Sequence, residues 1–149
     1  MNYQEVYQRV SLRGLNGVHI LVADLDTDDE IDGLDEAQIR KDIDNMLRAA
    51  GIHVLTREEA MRTPGIPCLY VSVDSMRGPD GFYAYSTIIE LLQAVYLVRD
   101  PAIKTYAETW STGVKGIIAE PNLKQAIQDD LKDMVTLFIN NYVSVNHKI

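Results

Sequence analysis

Residues 82–99 read FYAYSTIIELLQAVYLVR, and the fold turns on whether they form a helix or a strand. The run IIELLQAVYL at 88–97 would suit a buried helix as well as a strand, because a short apolar run has no decisive period. Composition separates the two: Phe, Tyr, Thr, Ile and Val crowd the segment, and such side chains pack best on a pleated backbone. Asp100-Pro101 then reads as a turn, and residues 103–118, IKTYAETWSTGVKGII, return with the same character. The reading is a long β-hairpin. A two-residue turn at Asp100-Pro101 sets Leu91 opposite Trp110.

Both parities of the first hairpin strand are apolar. Tyr83, Tyr85, Ile89, Leu91, Val95 and Leu97 lie on one, Ile88, Leu92, Ala94, Tyr96 and Val98 on the other. A sheet covered on one side only should alternate more cleanly, so the second face is either covered as well or is a contact surface. Small Ala94 and Ala107 would let a helix approach, whereas Tyr106 and Trp110 share the other parity. The helices are therefore expected on the alanine face. Tyr83, Tyr85, Leu91, Tyr106 and Trp110 become the expected interface, of a kind that could close a symmetric dimer. One extra residue in the turn would exchange the faces of one strand.

Outward from the hairpin, residues 18–24 read as a strand. LDEAQIRKDIDNMLRAAG at 34–51 reads as a helix with Asp35 as cap, Gln38 closing a capping box and Gly51 as terminator. Its apolar stripe is Ile39, Ile43, Met46, Leu47 and Ala50. IHVL at 52–55 is a short strand, REEAM at 57–61 falls in a loop, and CLYVSVDSM at 68–76 alternates as a strand. Residues 122–143 form a helix with Asn122 as cap and Leu123, Ile127, Leu131, Met134, Phe138, Ile139 and Tyr142 as its apolar face. The expected fold is α+β in the order β-α-β-β-β-β-α: a five-stranded mixed sheet with two helices packed on one face. The first βαβ unit should pair in parallel, and the later strands should run as an antiparallel meander. The 149 residues make a single domain, with 1–9 as an extended N-terminal arm.

The net charge of −8 is concentrated in one place. Asp24, Asp26, Asp28, Asp29, Glu30, Asp32, Asp35 and Glu36 fall within residues 24–36; without them the chain carries 14 acidic against 14 basic groups. A field of this sign repels phosphate backbones, and no basic stripe opposes it, so nucleic acid is not an expected partner. The stretch DLDTDDEIDG spaces Asp24, Asp26, Asp28, Glu30 and Asp32 like calcium ligands. It departs from the calcium-loop pattern at position 6, where Asp29 replaces the turn glycine, and at position 12, where Asp35 replaces glutamate. The preferred reading is a solvated strand-to-helix loop whose acids favour the helix N-terminus. No other cofactor is expected.

The one cysteine, Cys68, excludes an internal disulfide. Cys68 with His53 would make a thiolate–imidazole pair if their strands were neighbours, but an apolar context suits a buried thiol better. Glu90 and Glu108 on the two hairpin strands suggest a carboxylate pair, or simply outward-facing strand charges. There is no HxxxH, CxxC, GxSxG, P-loop or GxGxxG motif, and no apolar run long enough to span a membrane. The chain is therefore read as not an enzyme.

The stretches LNGVHILVADL, GLDEAQIRKDIDNMLRAAGIHVLTREE, PCLYVSVDSM, GFYAYSTIIELLQ, YAETWSTGVKG and FINNYVSVN together resemble a family of uncharacterised bacterial proteins, over nearly the whole chain. The most specific pieces are YAYS followed by ELLQ, then ETWSTG and NNYVSVN. The resemblance implies a periplasmic or otherwise extracytoplasmic place, since members typically carry an export signal. No charged n-region and apolar h-region precede Val10, and a cytoplasmic place is the alternative. The element order is also similar to the TolB N-terminal domain and to curli-secretion-type lipoprotein domains. The function expected is a non-catalytic binding or assembly domain of the cell envelope, acting on a protein partner or on itself. The alternative is a calcium- or small-ligand-binding protein using the acidic loop 24–36.

Eight carboxylates within thirteen residues repel one another less as salt screens them. Moderate salt should therefore raise the melting temperature slightly, and replacing Asp26, Asp28 and Asp29 by Asn should flatten that response; an unchanged salt dependence would place the effect elsewhere.

Overall fold

The computed structural model describes residues 2–25 and 34–146. Among these residues the chain is α+β, with four α-helices and one four-stranded mixed sheet. In chain order they are α1 (Tyr3–Val10), β1 (His19–Val22), α2 (Glu36–Ala49), α3 (Arg57–Met61), β2 (Cys68–Arg77), β3 (Phe82–Leu97), β4 (Asp100–Ala119) and α4 (Leu123–Val145). The strands lie side by side as β1-β2-β3-β4. β1 runs parallel to β2, and β2, β3 and β4 form the antiparallel meander expected from the sequence.

The five-stranded expectation is corrected at residues 52–55. Val18 donates to the His53 carbonyl (3.0 Å) and accepts from Leu55 N–H (2.8 Å), which makes a single parallel bridge, Val18 to Val54. The next β1 amide, His19, already turns to Pro67 on the β2 side. Pairing stops there because Thr56 opens α3. Its side chain accepts from Glu59 N–H (3.1 Å) while Glu59 Oε1 accepts from Thr56 N–H (3.0 Å). This reciprocal capping box is written in the sequence as Thr-Arg-Glu-Glu at 56–59, and it makes REEAM a helix instead of a loop.

Residues 3–9, expected within an extended arm, form α1 together with Val10, capped by Asn2, whose side chain accepts from Gln4 N–H. The helix covers part of the outer edge of β4. Gln8 Oε1 accepts from Ser111 N–H (3.1 Å), and the Ser11 hydroxyl donates to the Thr109 carbonyl (3.2 Å). Side chains thus satisfy backbone groups that an exposed edge strand would offer to another chain.

One face of the sheet is sealed by α2 and α4. Ile39, Ile43 and Leu47 of α2, and Leu123, Ile127, Leu131, Met134 and Phe138 of α4, are buried as their spacing predicts. They meet Ile20 of β1, Leu69, Val71 and Val73 of β2, Ile89 and Leu91 of β3, and Trp110 of β4. At the helix starts, Asp35 caps α2 through Ala37 N–H (2.8 Å). Gln38 does not close the expected box; it donates to Asp42, one turn along its own helix. Asn122 makes no side-chain cap either, because a 3-10 turn at Glu120–Asn122 feeds the chain into α4.

The expectation for the two hairpin faces is reversed along β3 and along β4 from Trp110 onward, whereas Tyr106 and Ala107 lie on the sides expected of them. The turn falls at residues 98–99, not at Asp100-Pro101, which belong to β4. Leu91 nevertheless pairs with Trp110, because irregularities at Tyr96/Leu97 and Leu91/Leu92 add residues to β4. At the second of them Leu91 faces Trp110 and Leu92 faces Glu108, leaving Thr109 as the extra residue of a β-bulge. Tyr106 and Trp110 therefore point to opposite sides despite their equal parity. Trp110 is buried edge-on against Phe138, ring centroids 5.1 Å apart, whereas Tyr106, opposite Ala94, lies on the face that α2 and α4 leave open.

Trp110→Ala should lower the unfolding free energy by about 3–5 kcal/mol, the usual cost of emptying a buried aromatic site. Ile117→Ala on the open face should stay within about 0.5 kcal/mol of wild type. Urea titrations followed by circular dichroism check both.

Candidate functional site

The residues of the acidic loop separate into two groups. Asp24 is exposed just beyond β1, while Asp26, Asp28, Glu30 and Asp32 lie outside the described residues. The two ends of the loop are tied together, since Glu36 Oε1 accepts from Leu25 N–H (2.8 Å). Asp35 is committed to its cap. Among the described residues no three His, Cys, Asp or Glu side chains converge as metal ligands.

Of the five residues expected at an interface, three are core. Leu91 and Trp110 are buried in the core beneath the helices, and Tyr83 is also buried, its hydroxyl accepting from Arg77 Nε (3.0 Å) and Nη2 (2.9 Å). Tyr85 is half-buried on the same side and donates to Asp130 Oδ2 of α4 (2.8 Å). Its ring passes over Gly116, where a β-carbon would come within 2.7 Å of the ring; glycine at 116 is what lets the tyrosine reach α4. Only Tyr106 of the five faces outward on the uncovered side.

That uncovered side is the principal surface feature. The register places Leu21, Met76, Phe82, Tyr96, Tyr106 and Ile117 on it, and all are exposed, Ile117 to 78% and Met76 to 71%. Half-buried Tyr70, Ile88 and Leu92 continue the apolar surface between them. Sheet faces left to water normally carry polar side chains, and contiguous apolar ones mark contact surfaces.

At one end of this face α3 and residues 63–67 rise over the strands and form a cleft of about 690 Å³. Its floor is His19, Leu21, Cys68 and Ala94; its walls are Ala60, Met61, Ile66 and Tyr106; Arg57, Lys104 and Thr105 complete the lining. The wall at Ile66 is held in a conformation that it would not choose. Its φ is +46°, in the left-handed region that β-branched residues avoid, although it precedes Pro67. Two hydrogen bonds hold it there: Tyr106 Oη donates to the Ile66 carbonyl (2.8 Å), and Ala94 N–H donates to the Gly65 carbonyl (2.7 Å). Burial, with a lesser contribution from Cys68, pushes the Tyr106 phenol up to about 12. Tyr106 therefore stays a donor at every physiological pH.

His53 and Cys68 are not brought together as a pair. His53 is exposed and sits 3.8 Å from Glu59, while the residue paired with Cys68 across the strands is His19. His19 Nδ1 approaches the Leu55 carbonyl at 3.2 Å, a contact that requires the ring proton on Nδ1 because a carbonyl can only accept. Burial pushes the Cys68 thiol up, so it is protonated and poorly nucleophilic at neutral pH. The sequence reading missed the cleft because its walls come from β1, β2, β3, β4 and α3. The capping box at Thr56 was the one local signal for the helix that roofs it.

Comparison of the chain with protein-family models and with curated proteins finds no match.

Glu90 and Glu108 do share the open face. Burial first, and then the Glu108 charge, raise the Glu90 carboxyl above its ordinary 4.5. A raised acid penalises the fold once both states are ionised, and the penalty vanishes as pH falls through the folded value to below the unfolded one. Glu90→Gln should therefore melt higher than wild type at neutral pH, and the difference should close as pH drops below about 4.5. A pH series of calorimetric melts measures this; a constant offset would disprove the assignment.

Proposed function

We propose that the protein is a non-catalytic binding and assembly domain whose contact surface is the open sheet face. The observation that carries this reading is the row Leu21, Met76, Phe82, Tyr96, Tyr106 and Ile117, left exposed by a fold that seals its other face with two helices. Contact cores are built from such large apolar and aromatic side chains, rimmed by charge; Glu108, Lys104 and Lys115 supply charged positions around them. A catalytic role has less support: the buried Cys68 thiol is protonated, and Glu108, the neighbour of Glu90, is exposed on the open face. The resemblance to exported bacterial proteins favours a place in the cell envelope. No helix among the described residues is long and apolar enough to cross a membrane.

A photo-crosslinking amino acid placed at Ile117 on the open face should capture a protein partner or a second copy in living cells. The same residue at Leu137, exposed on α4, should not. Light scattering on the purified protein then separates self-association from a foreign partner. Equal adducts from both positions, or none from position 117, would overturn the assignment of the surface.

A further inference from the structure

The cleft beneath α3 has a chemistry distinct from the rest of the open face. Its floor and walls are largely carbon, from Leu21, Ala60, Met61, Ile66 and Ala94. Its volume lies within the roughly 300–1,000 Å³ typical of small-molecule sites. Two cations, Arg57 from α3 and Lys104 from β4, line it from opposite elements, and among the described residues neither forms an ion pair. In a chain of net charge −8, two unpaired cations beside one apolar cleft mark a site suited to an anion. Lining cations select the sign of a ligand's head, and apolar walls take its body.

We propose that this cleft binds a single-chain amphiphile with an anionic head, of the fatty-acid type, taken up as a free monomer. The chain lies over Ala94 between Met61 and Ile66, and Arg57 and Lys104 take the head group. The strained backbone at Ile66 is consistent with this use. A residue held in an unfavourable region persists where the surroundings over-determine it, and such residues cluster at ligand sites. Here Tyr106 and Ala94 fix that wall before any ligand arrives. The cleft shares Leu21, Lys104 and Tyr106 with the contact face, but Ile117, the position that tests the protein-contact reading, lies toward the other end of the hairpin, opposite Ala84, so the two readings fail separately.

The test uses dodecanoate as the probe, below its micelle-forming concentration, with titration calorimetry and the modification rate of Cys68 as readouts. Cys68 is the only thiol of the chain and lies in the cleft floor, so modification that dodecanoate slows in the wild type but not in the charge-reversed protein locates the ligand in this cleft. Saturable binding of dodecanoate with protection of Cys68 is expected. Reversing both charges, Arg57→Glu with Lys104→Glu, should weaken dodecanoate about tenfold or more, the loss of one charge-assisted contact or better. The same change should leave dodecanol nearly unaffected. Ala94→Trp should fill the floor and abolish both. The charge reversals sit on exposed side chains, so they decide the matter even if Ala94→Trp fails to fold. Absence of saturable binding, equal affinity for dodecyltrimethylammonium, or insensitivity to the charge reversal would overturn the proposal. So would co-sedimentation with anionic lipid vesicles in the absence of any binding to monomeric dodecanoate.

Discussion

Thr109 has no residue opposite it in the β3 register, and the two sides of the molecule follow from that mismatch in the pairing. C-terminal to it, β4 turns Trp110 inward to meet Phe138 edge-on, and the rest of the core assembles around these rings. N-terminal to it, the same parity of the same strand turns Tyr106 outward to brace the wall of the cleft. A strand with unbroken alternation would have sent both aromatics to one side. The bulge is also where the sheet edge is stitched down. Gln93 Nε2 donates to Thr109 Oγ1 (2.9 Å) and to the Ser11 carbonyl (3.3 Å), while the Ser11 hydroxyl donates to the Thr109 carbonyl and Gln8 Oε1 accepts from Ser111 N–H just beyond it. The short helix α1 thus protects the irregular stretch of the edge strand β4.

Sealing one face so fully leaves the other with whatever the hairpin carries. α2 and α4 supply apolar stripes for a single layer, and both are used on the same side. α4 is held over it at both ends: near its start, Tyr85 reaches Asp130; near its end, Tyr142 donates to the Leu15 carbonyl, and Asn146 bonds both Gly14 N–H and the Leu12 carbonyl. Among the described residues, the opposite face receives only the five-residue α3 and the bend before β2. That partial cover is why it carries a cleft at one end and exposed Met76, Phe82 and Ile117 at the other.

The local sequence was sufficient for several elements, each for a physical reason that does not depend on distant residues. Periodic apolar stripes marked α2 and α4, alternation marked β2, and Gly51, with φ of +79°, marked the end of α2. The hairpin itself followed from β-branched and aromatic content, and the Leu91–Trp110 pairing was reached although the turn was misplaced. Two compensating differences lie behind that agreement: the turn comes earlier, at residues 98–99, and β4 then gains extra residues before Trp110. The capping box at Thr56 was equally local, and it outweighed the strand-like look of the residues before it.

Which face of the hairpin meets the helices was decided by the tertiary structure alone. Both parities of β3 are apolar, so hydrophobic pattern could not orient it, and the small size of Ala94 pointed the wrong way. A bulge leaves little trace in a single strand; it exists only in the mismatch between two strands, and here it is stabilised by Gln93 and by the helix α1. The cleft is of the same kind, because its residues are scattered from His19 to Tyr106 and acquire a common chemistry only when β1, β4 and α3 converge. The sequence by itself determined the elements and their apolar faces through short-range periodicity. The choice between two nearly equivalent sheet faces was left to one extra residue and to the packing of Trp110 on Phe138.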